Sequence, residues 1–208
     1  CETEREQRRL EGGFAGDGAG GAHLAQRRLG GRRGHPGVQA VQQAHPEALV
    51  PPMPDRLDAS ALAPLLEFAD SANAVGIGPG LGRDPATAAL LLELLRALAG
   101  AKPGLACVLD ADALNILAAA RAENSFQWQE LAPLNLLITP HPGEAERILQ
   151  DTIRSDRRSC WRSLVEETGS CVLLKGAGSL IGDASMLRES KPEPFENPTG
   201  NPGMATAG

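Results

Sequence analysis

The sequence contains no Tyr, and its whole aromatic complement is four Phe and two Trp in 208 residues. A core built from it must rest on Leu, Ala, Val and Ile. The four Cys, at positions 1, 107, 160 and 171, form no C-x-x-C pair and no metal-ligand spacing. A reducing, cytoplasmic setting is the simplest one for such thiols. No apolar run approaches the roughly 20 residues that span a bilayer. The nearest, over residues 86–98, is broken by Glu93 and Arg96. No charged-then-apolar leader with a small-residue cleavage site is present, so no export signal is read. Basic residues are outnumbered, 20 Lys and Arg against 26 Asp and Glu, and the net charge of −6 argues against a nucleic-acid binder. There is no internal repeat of fixed period. The first residue is Cys1 rather than Met, which sets the expectation of a fragment of a longer reading frame.

What remains is enough chain for one domain with a sizeable core. Residues 1–37 carry 10 of the 24 Gly and 7 of the 20 basic residues, but only four of Leu, Ile, Val, Met and Phe. Without helical or strand period, they read as a flexible arm or as sequence foreign to the domain. Residues 38–208 hold 13 basic and 21 acidic residues with recurrent apolar runs. The expected division is therefore a Gly- and Arg-rich segment, 1–37, and a folded domain, 38–208.

Within that domain strands alternate with helices. Residues 72–77, 105–109, 134–139 and 171–175 read as buried strands, with a fifth at 179–181. Asp84 and Pro85 open a helix as N-cap and first helical residue, with Gly100 past its end. Further helices are expected over 113–121, from 142 to 149, and over 157–167. This alternation indicates an α/β fold of three layers, a mostly parallel sheet with helices on both faces.

The unusual residues fall just after the strands, where open α/β sheets place their ligand crevice. Gly76-Ile77-Gly78-Pro79-Gly80-Leu81-Gly82 suits close backbone approach to a ligand, or a tight turn. It is not a dinucleotide fingerprint: the third glycine position meets Leu81 from Gly76 and Arg83 from Gly78. In Asp110-Ala111-Asp112-Ala113-Leu114-Asn115 the two carboxylates, two residues apart, are candidates to face the crevice and hold Mg²⁺ or a polar substrate. Asp112 is expected to cap the helix that begins at Ala113. Asp110 is left open between a structural and a ligand role. In Thr139-Pro140-His141-Pro142-Gly143-Glu144 the flanking prolines rigidify His141, which is either a satisfied structural residue or a functional one. Lys175-Gly176-Ala177-Gly178-Ser179 sets a cation and backbone N–H groups where an anion can be met, unless it is a plain hairpin turn. Residues 197–208 read as a small, polar loop.

Taken in order, VGIGPGLG, LDADALN, ITPHPGEAERIL, LLKGAGSLI and GNPGMATAG resemble the ADP-dependent NAD(P)H-hydrate dehydratases of the ribokinase-like superfamily. The resemblance runs from Val38 to Gly208. It implies repair of hydrated NADH and NADPH (NADHX and NADPHX, the S-epimers), with ADP driving loss of water and AMP and phosphate released. Gly80, Gly82 and His141 match positions lining the hydrated-nucleotide site, and Asp110 and Asn115 are assigned to it with them. Lys175, Gly176, Ala177, Gly178 and Ser179 match the segment that binds the adenine nucleotide. Mg²⁺ would neutralise the ADP phosphates. A fused epimerase domain upstream and a homo-oligomer are both left open.

The resemblance also implies a catalytic Asp, in a Gly-Asp pair a few residues past A-T-A-G. The sequence stops at Gly208 before it, so no catalytic residue is expected within these 208 and the stretch alone is expected to be incomplete at both ends. Residues 1–37 show nothing of the family's opening strand, whereas the stretch from Val38 to Val50 resembles the family immediately downstream of it, as a frameshifted translation would give. Two alternatives remain: a ribokinase-like sugar or vitamin kinase, and a non-catalytic adenine-nucleotide-binding remnant. The D-A-D-A-L-N and H-P-G-E-A motifs speak against the kinase.

Overall fold

Short apolar strands, each closed by Gly, Pro or Asp, leave the chain little choice but to cross over through a helix before pairing again. The computed structural model describes residues 57–150, 156–188 and 193–199. Its elements are α1 (Leu62–Asp70), β1 (Ala74–Ile77), α2 (Pro85–Ala101), β2 (Ala106–Leu109), α3 (Asp112–Ala122), β3 (Asn135–Ile138), α4 (Pro142–Leu149), α5 (Arg157–Thr168), β4 (Cys171–Leu174), β5 (Ser179–Gly182) and β6 (Phe195–Asn197). The strands form one sheet in sequence order, with β1 to β4 parallel and β5 and β6 added antiparallel. The readings on residues 1–56 and 200–208 lie outside the described residues.

Strand register divides the sheet into two unequal faces. Val75, Cys107 and Leu136 lie side by side, as do Ile77, Leu109, Ile138 and Val172. All seven are buried in the core with the apolar stripes of the helices. Helices α2, α3, α4 and α5 lie between successive parallel strands and bury their apolar residues in the same core. The opposite row is also apolar, including Val108, Leu137, Leu173 and Ile181, but is only half-buried. Burial thus alternates along each strand, the period-2 signature of a sheet with one face packed more deeply than the other.

Local chemistry sets the element ends. Asp84 accepts the N–H groups of Ala86 and Thr87, with Pro85 as first helical residue, so α2 begins where expected. Its end differs: the helix runs through Gly100 to Ala101, and Lys102 is the C-cap. The Lys102 ammonium bonds the carbonyls of Ala69, Asp70 and Ala72, satisfying the end of α1. Two further readings are corrected. Asp112 does not cap α3; the N-cap is Ala111 and Asp112 is the first helical residue. Asn197 is not in a loop but closes β6, a strand without apolar alternation whose Phe195 is largely exposed.

Candidate functional site

Because β1 to β4 are parallel, their carboxyl ends share one edge, and the four motif segments emerge there together. The segments are stitched to one another beyond the strands. The Asp110 N–H donates to Ile77 C=O (3.1 Å), Thr139 N–H to Leu109 C=O (3.1 Å) and Lys175 N–H to Pro140 C=O (2.9 Å). The ladder continues one residue past each strand, so the loops start from fixed positions.

The glycine loop after β1 comes close to the next strand end. A Cβ on Gly78, at φ +144°, would lie 1.7 Å from the Asp110 carbonyl oxygen, so no side chain fits there. The loop is then pinned by Asp112. Its Oδ2 accepts the Gly82 N–H at 3.0 Å, and Arg83 Nε lies 3.6 Å from Oδ1. The residue expected to cap its own helix instead reaches a loop 30 positions upstream.

Asp110 turns the other way. Its Oδ1 meets Lys175 Nζ at 2.5 Å and accepts the Ala111 N–H at 2.8 Å. The pair spans from the end of β2 to the end of β4, both side chains half-buried. The two carboxylates therefore diverge, one toward β1 and one toward β4, rather than converging on a common ligand. Among the described residues no group of three His, Cys, Asp or Glu is placed to hold a metal ion.

Between them sits Ala111 at φ 50°, ψ −120°, a backbone conformation that costs a residue with a Cβ. Asn115 holds it there. Its Nδ2 donates to the Ala111 carbonyl (3.0 Å), while its Oδ1 accepts from Arg147 Nη1 of α4 (2.9 Å). Both ends of the Asn115 amide are thus engaged by the protein, linking α3 to α4.

His141 is the N-cap of α4. Its Nδ1 accepts the Gly143 N–H at 3.0 Å, and Glu144 Oε2 accepts the His141 N–H at 2.9 Å, a reciprocal capping box. Nε2 lies 3.4 Å from Glu144 Oε1, with the histidine side chain 47 % exposed and the carboxylate 5 %. An imidazole that accepts at Nδ1 carries its proton at Nε2, toward Glu144. The structural account of His141 is satisfied in full, and its half-exposed ring lies just beyond the carboxyl end of β3.

The turn after β4 holds Lys175, Gly176, Ala177, Gly178 and Ser179. Sequence reasoning missed what lies beneath it: the Arg157 guanidinium, the first residue of α5, which donates to carbonyls of this turn. It also missed Arg147 and the strained Ala111. None of these carries a local signal, since each acts on residues far along the chain or on its own backbone. Behind the glycine loop, Leu57, Leu65, Leu81, Leu90 and Leu94 line a small apolar cavity.

Chemically, this edge offers backbone N–H groups, one ammonium and glycine surfaces. Among the described residues, its carboxylates each have a protein partner: Asp110 has Lys175, Asp112 the Gly82 N–H, and Glu144 His141. Backbone donors and an ammonium at one edge suit an anionic ligand.

Comparison with known proteins places these features in context. Residues 35–208 match a protein family described as NAD(P)H-hydrate dehydratase. The chain is 41 % identical over 157 residues to a bifunctional NAD(P)H-hydrate repair enzyme of Moorella thermoacetica, a match covering 73 % of this chain and 26 % of that one. It is 36 % identical over 154 residues to an ADP-dependent (S)-NAD(P)H-hydrate dehydratase of Neisseria meningitidis, covering 69 % of this chain and 47 % of that enzyme. A ribokinase-like superfamily protein from Enterococcus faecalis superposes with a TM-score of 0.61 at 25 % identity, over 81 % of this chain and 52 % of its own. The chain spans less than half the length of these two curated relatives.

Proposed function

The chain belongs to the NAD(P)H-hydrate dehydratase family, and from that premise we propose that it forms the nucleotide-holding part of an enzyme that dehydrates hydrated NADH and NADPH using ADP. Hydroxide is a poor leaving group. Transfer of the ADP β-phosphoryl group to the ring hydroxyl releases AMP and a proton. The phosphate then departs as the ring C–O bond breaks and a proton leaves the neighbouring ring carbon for the phosphate, restoring the ring double bond of the dihydronicotinamide. The observation that carries this reading is the convergence of the glycine loop and the Lys175 turn on one sheet edge, stitched by main-chain hydrogen bonds.

In this reading Gly80, Gly82 and the exposed edge of His141 line the hydrated-nucleotide side. Asp110 and Asn115 shape it indirectly, the first by holding Lys175 and the second by holding Ala111. Lys175 and the N–H groups of residues 176–179 face the adenine nucleotide. Mg²⁺ accompanies ADP as its phosphate counterion, and these residues do not fit a protein-held ion, since Asp110 is already paired. The base that takes the hydroxyl proton is not among the described carboxylates of the crevice. A fused epimerase domain and a cytoplasmic setting complete the proposal.

The test has two arms. Calorimetry on the chain is expected to show ADP and hydrated NADH binding, with ADP weakened in Lys175→Ala; binding of neither would refute the proposal. With hydrated NADH and ADP the protein is expected to restore dihydronicotinamide absorbance and release AMP and free phosphate. A stable phosphate ester formed from ATP would make it a kinase instead.

A further inference from the structure

We propose that Arg157 is a positioning residue that turns residues 175–179 into an anion-binding surface. The proposal rests on the reading that this turn meets the phosphates, and it names the group that shapes it.

The geometry is specific. Arg157 Nη1 donates to the carbonyls of Ala177 and Gly178, the latter at 2.8 Å. Nη2 donates to the carbonyls of Leu174 (3.2 Å) and Lys175 (3.3 Å). One guanidinium thus gathers four carbonyl oxygens from a stretch of five residues. In a planar trans peptide the C=O of one residue and the N–H of the next point in opposite directions. Drawing these carbonyls inward therefore turns the N–H groups of Lys175, Gly176, Gly178 and Ser179 away from Arg157. The Lys175 N–H is taken by Pro140. Those of Gly176 and Gly178 meet no acceptor among the described residues. Outward N–H groups of this kind suit an anion, and the Glu196 carboxylate beside Gly178 is paired with Arg158 Nη2 at 2.8 Å.

The fit between Arg157 and the turn is mutual. A Cβ on Gly176, at φ +143°, would lie 2.9 Å from Arg157 Nη2. Glycine here lets the guanidinium come up under the turn. Arg157 is itself fixed, because Asp156 caps α5 by accepting the N–H groups of Arg158 and Ser159. A planar fork of donors can reach four carbonyls at once, which a compact ammonium cannot.

Arg157→Lys separates geometry from charge, since it keeps the cation and removes the fork. The probes are inorganic pyrophosphate and ADP, titrated calorimetrically against the full chain. In Arg157→Lys we expect pyrophosphate affinity to fall at least about tenfold, with the Gly176 and Gly178 amide resonances displaced. In Arg157→Gly, added guanidinium ion is expected to recover part of the affinity, which a general loss of stability would not allow. Arg96→Lys, which swaps a guanidinium bonded to Glu130 and the Ser125 carbonyl, controls for generic destabilisation and should leave both affinities unchanged. Unchanged pyrophosphate affinity in folded Arg157→Lys overturns the inference and leaves the function standing. Pyrophosphate binding that depends on Arg157, with no binding of ADP, supports the inference and overturns the function. If Arg157→Lys does not fold, failure of guanidinium to recover binding in Arg157→Gly, or absence of pyrophosphate binding by the parent chain, also overturns it.

Discussion

Replacing Asp112 tests whether the glycine loop is held by tertiary contact or left to its own conformational freedom. In Asp112→Ala the loop loses the bond from the Gly82 N–H to Oδ2, at 3.0 Å. A hydrogen bond to a charged acceptor contributes about 1.5–3 kcal/mol. The Arg83 contact, 3.6 Å long with an arginine side chain 62 % exposed, adds only about 0–1 kcal/mol. Loss of an acid from the first turn of α3 costs a further ~0.3–1 kcal/mol, borne by the helix rather than the loop. The loop should therefore be loosened by about 1.5–4 kcal/mol, a roughly ten- to thousandfold fall in amide protection at Gly82. Asp112→Asn keeps an acceptor and should lose about half as much. Hydrogen exchange followed by NMR reads Gly82 directly. Full protection of Gly82 in folded Asp112→Ala would refute the anchoring. If protection fell instead at the Leu114 and Asn115 amides, Asp112 would be acting as the helix cap that its sequence position suggests.

Two other outcomes follow from single residues. Ala111→Gly relieves a backbone strain of about 1–3 kcal/mol against an unfolded-state entropy cost of ~0.5–1 kcal/mol, so the denaturation midpoint should rise; a fall would mean the conformation is not strained. Burial pushes the Cys107 thiol up to about 12 from an ordinary 9.0. Unfolded chains therefore lose this proton first, and stability should decline from pH 9 toward pH 12 by up to roughly 1.4 kcal/mol per pH unit. Urea titrations should show that slope reduced in Cys107→Ala, and an unchanged slope would mean the thiol is not buried.

Element positions were legible wherever a strong local signal stood at the end. Asp84 with Pro85, and Pro142 after His141, fix helix starts because a capping side chain and a ring-locked φ act within one turn. The four parallel strands were legible as apolar runs closed by glycine or acid. The C-terminus of α2 was not, because Gly100 lies on an exposed helix face and Lys102 found its partners on α1, more than 30 residues away in sequence. Strand β6 was missed since Phe-Glu-Asn has no buried alternation to read. The same limit explains the site. Its segments were identified by residue type, but the choice of Asp112 between its own helix and Gly82 is decided by a loop that arrives from a different strand. Arg157 carries no signal of its own in the sequence, because the carbonyls it bonds lie 17 to 21 residues further on.

Each carboxylate near the crevice already has a donor: an ammonium for Asp110, a main-chain N–H for Asp112, and a capped histidine for Glu144. Two of these bonds tie one strand-end segment to another and the third closes a helix cap, so all three carboxylates hold backbone and side chains in place. Asp110 orients the Lys175 ammonium in the folded chain rather than leaving it free to collapse onto any anion. Preorganisation of that kind reduces what binding must spend on ordering the site.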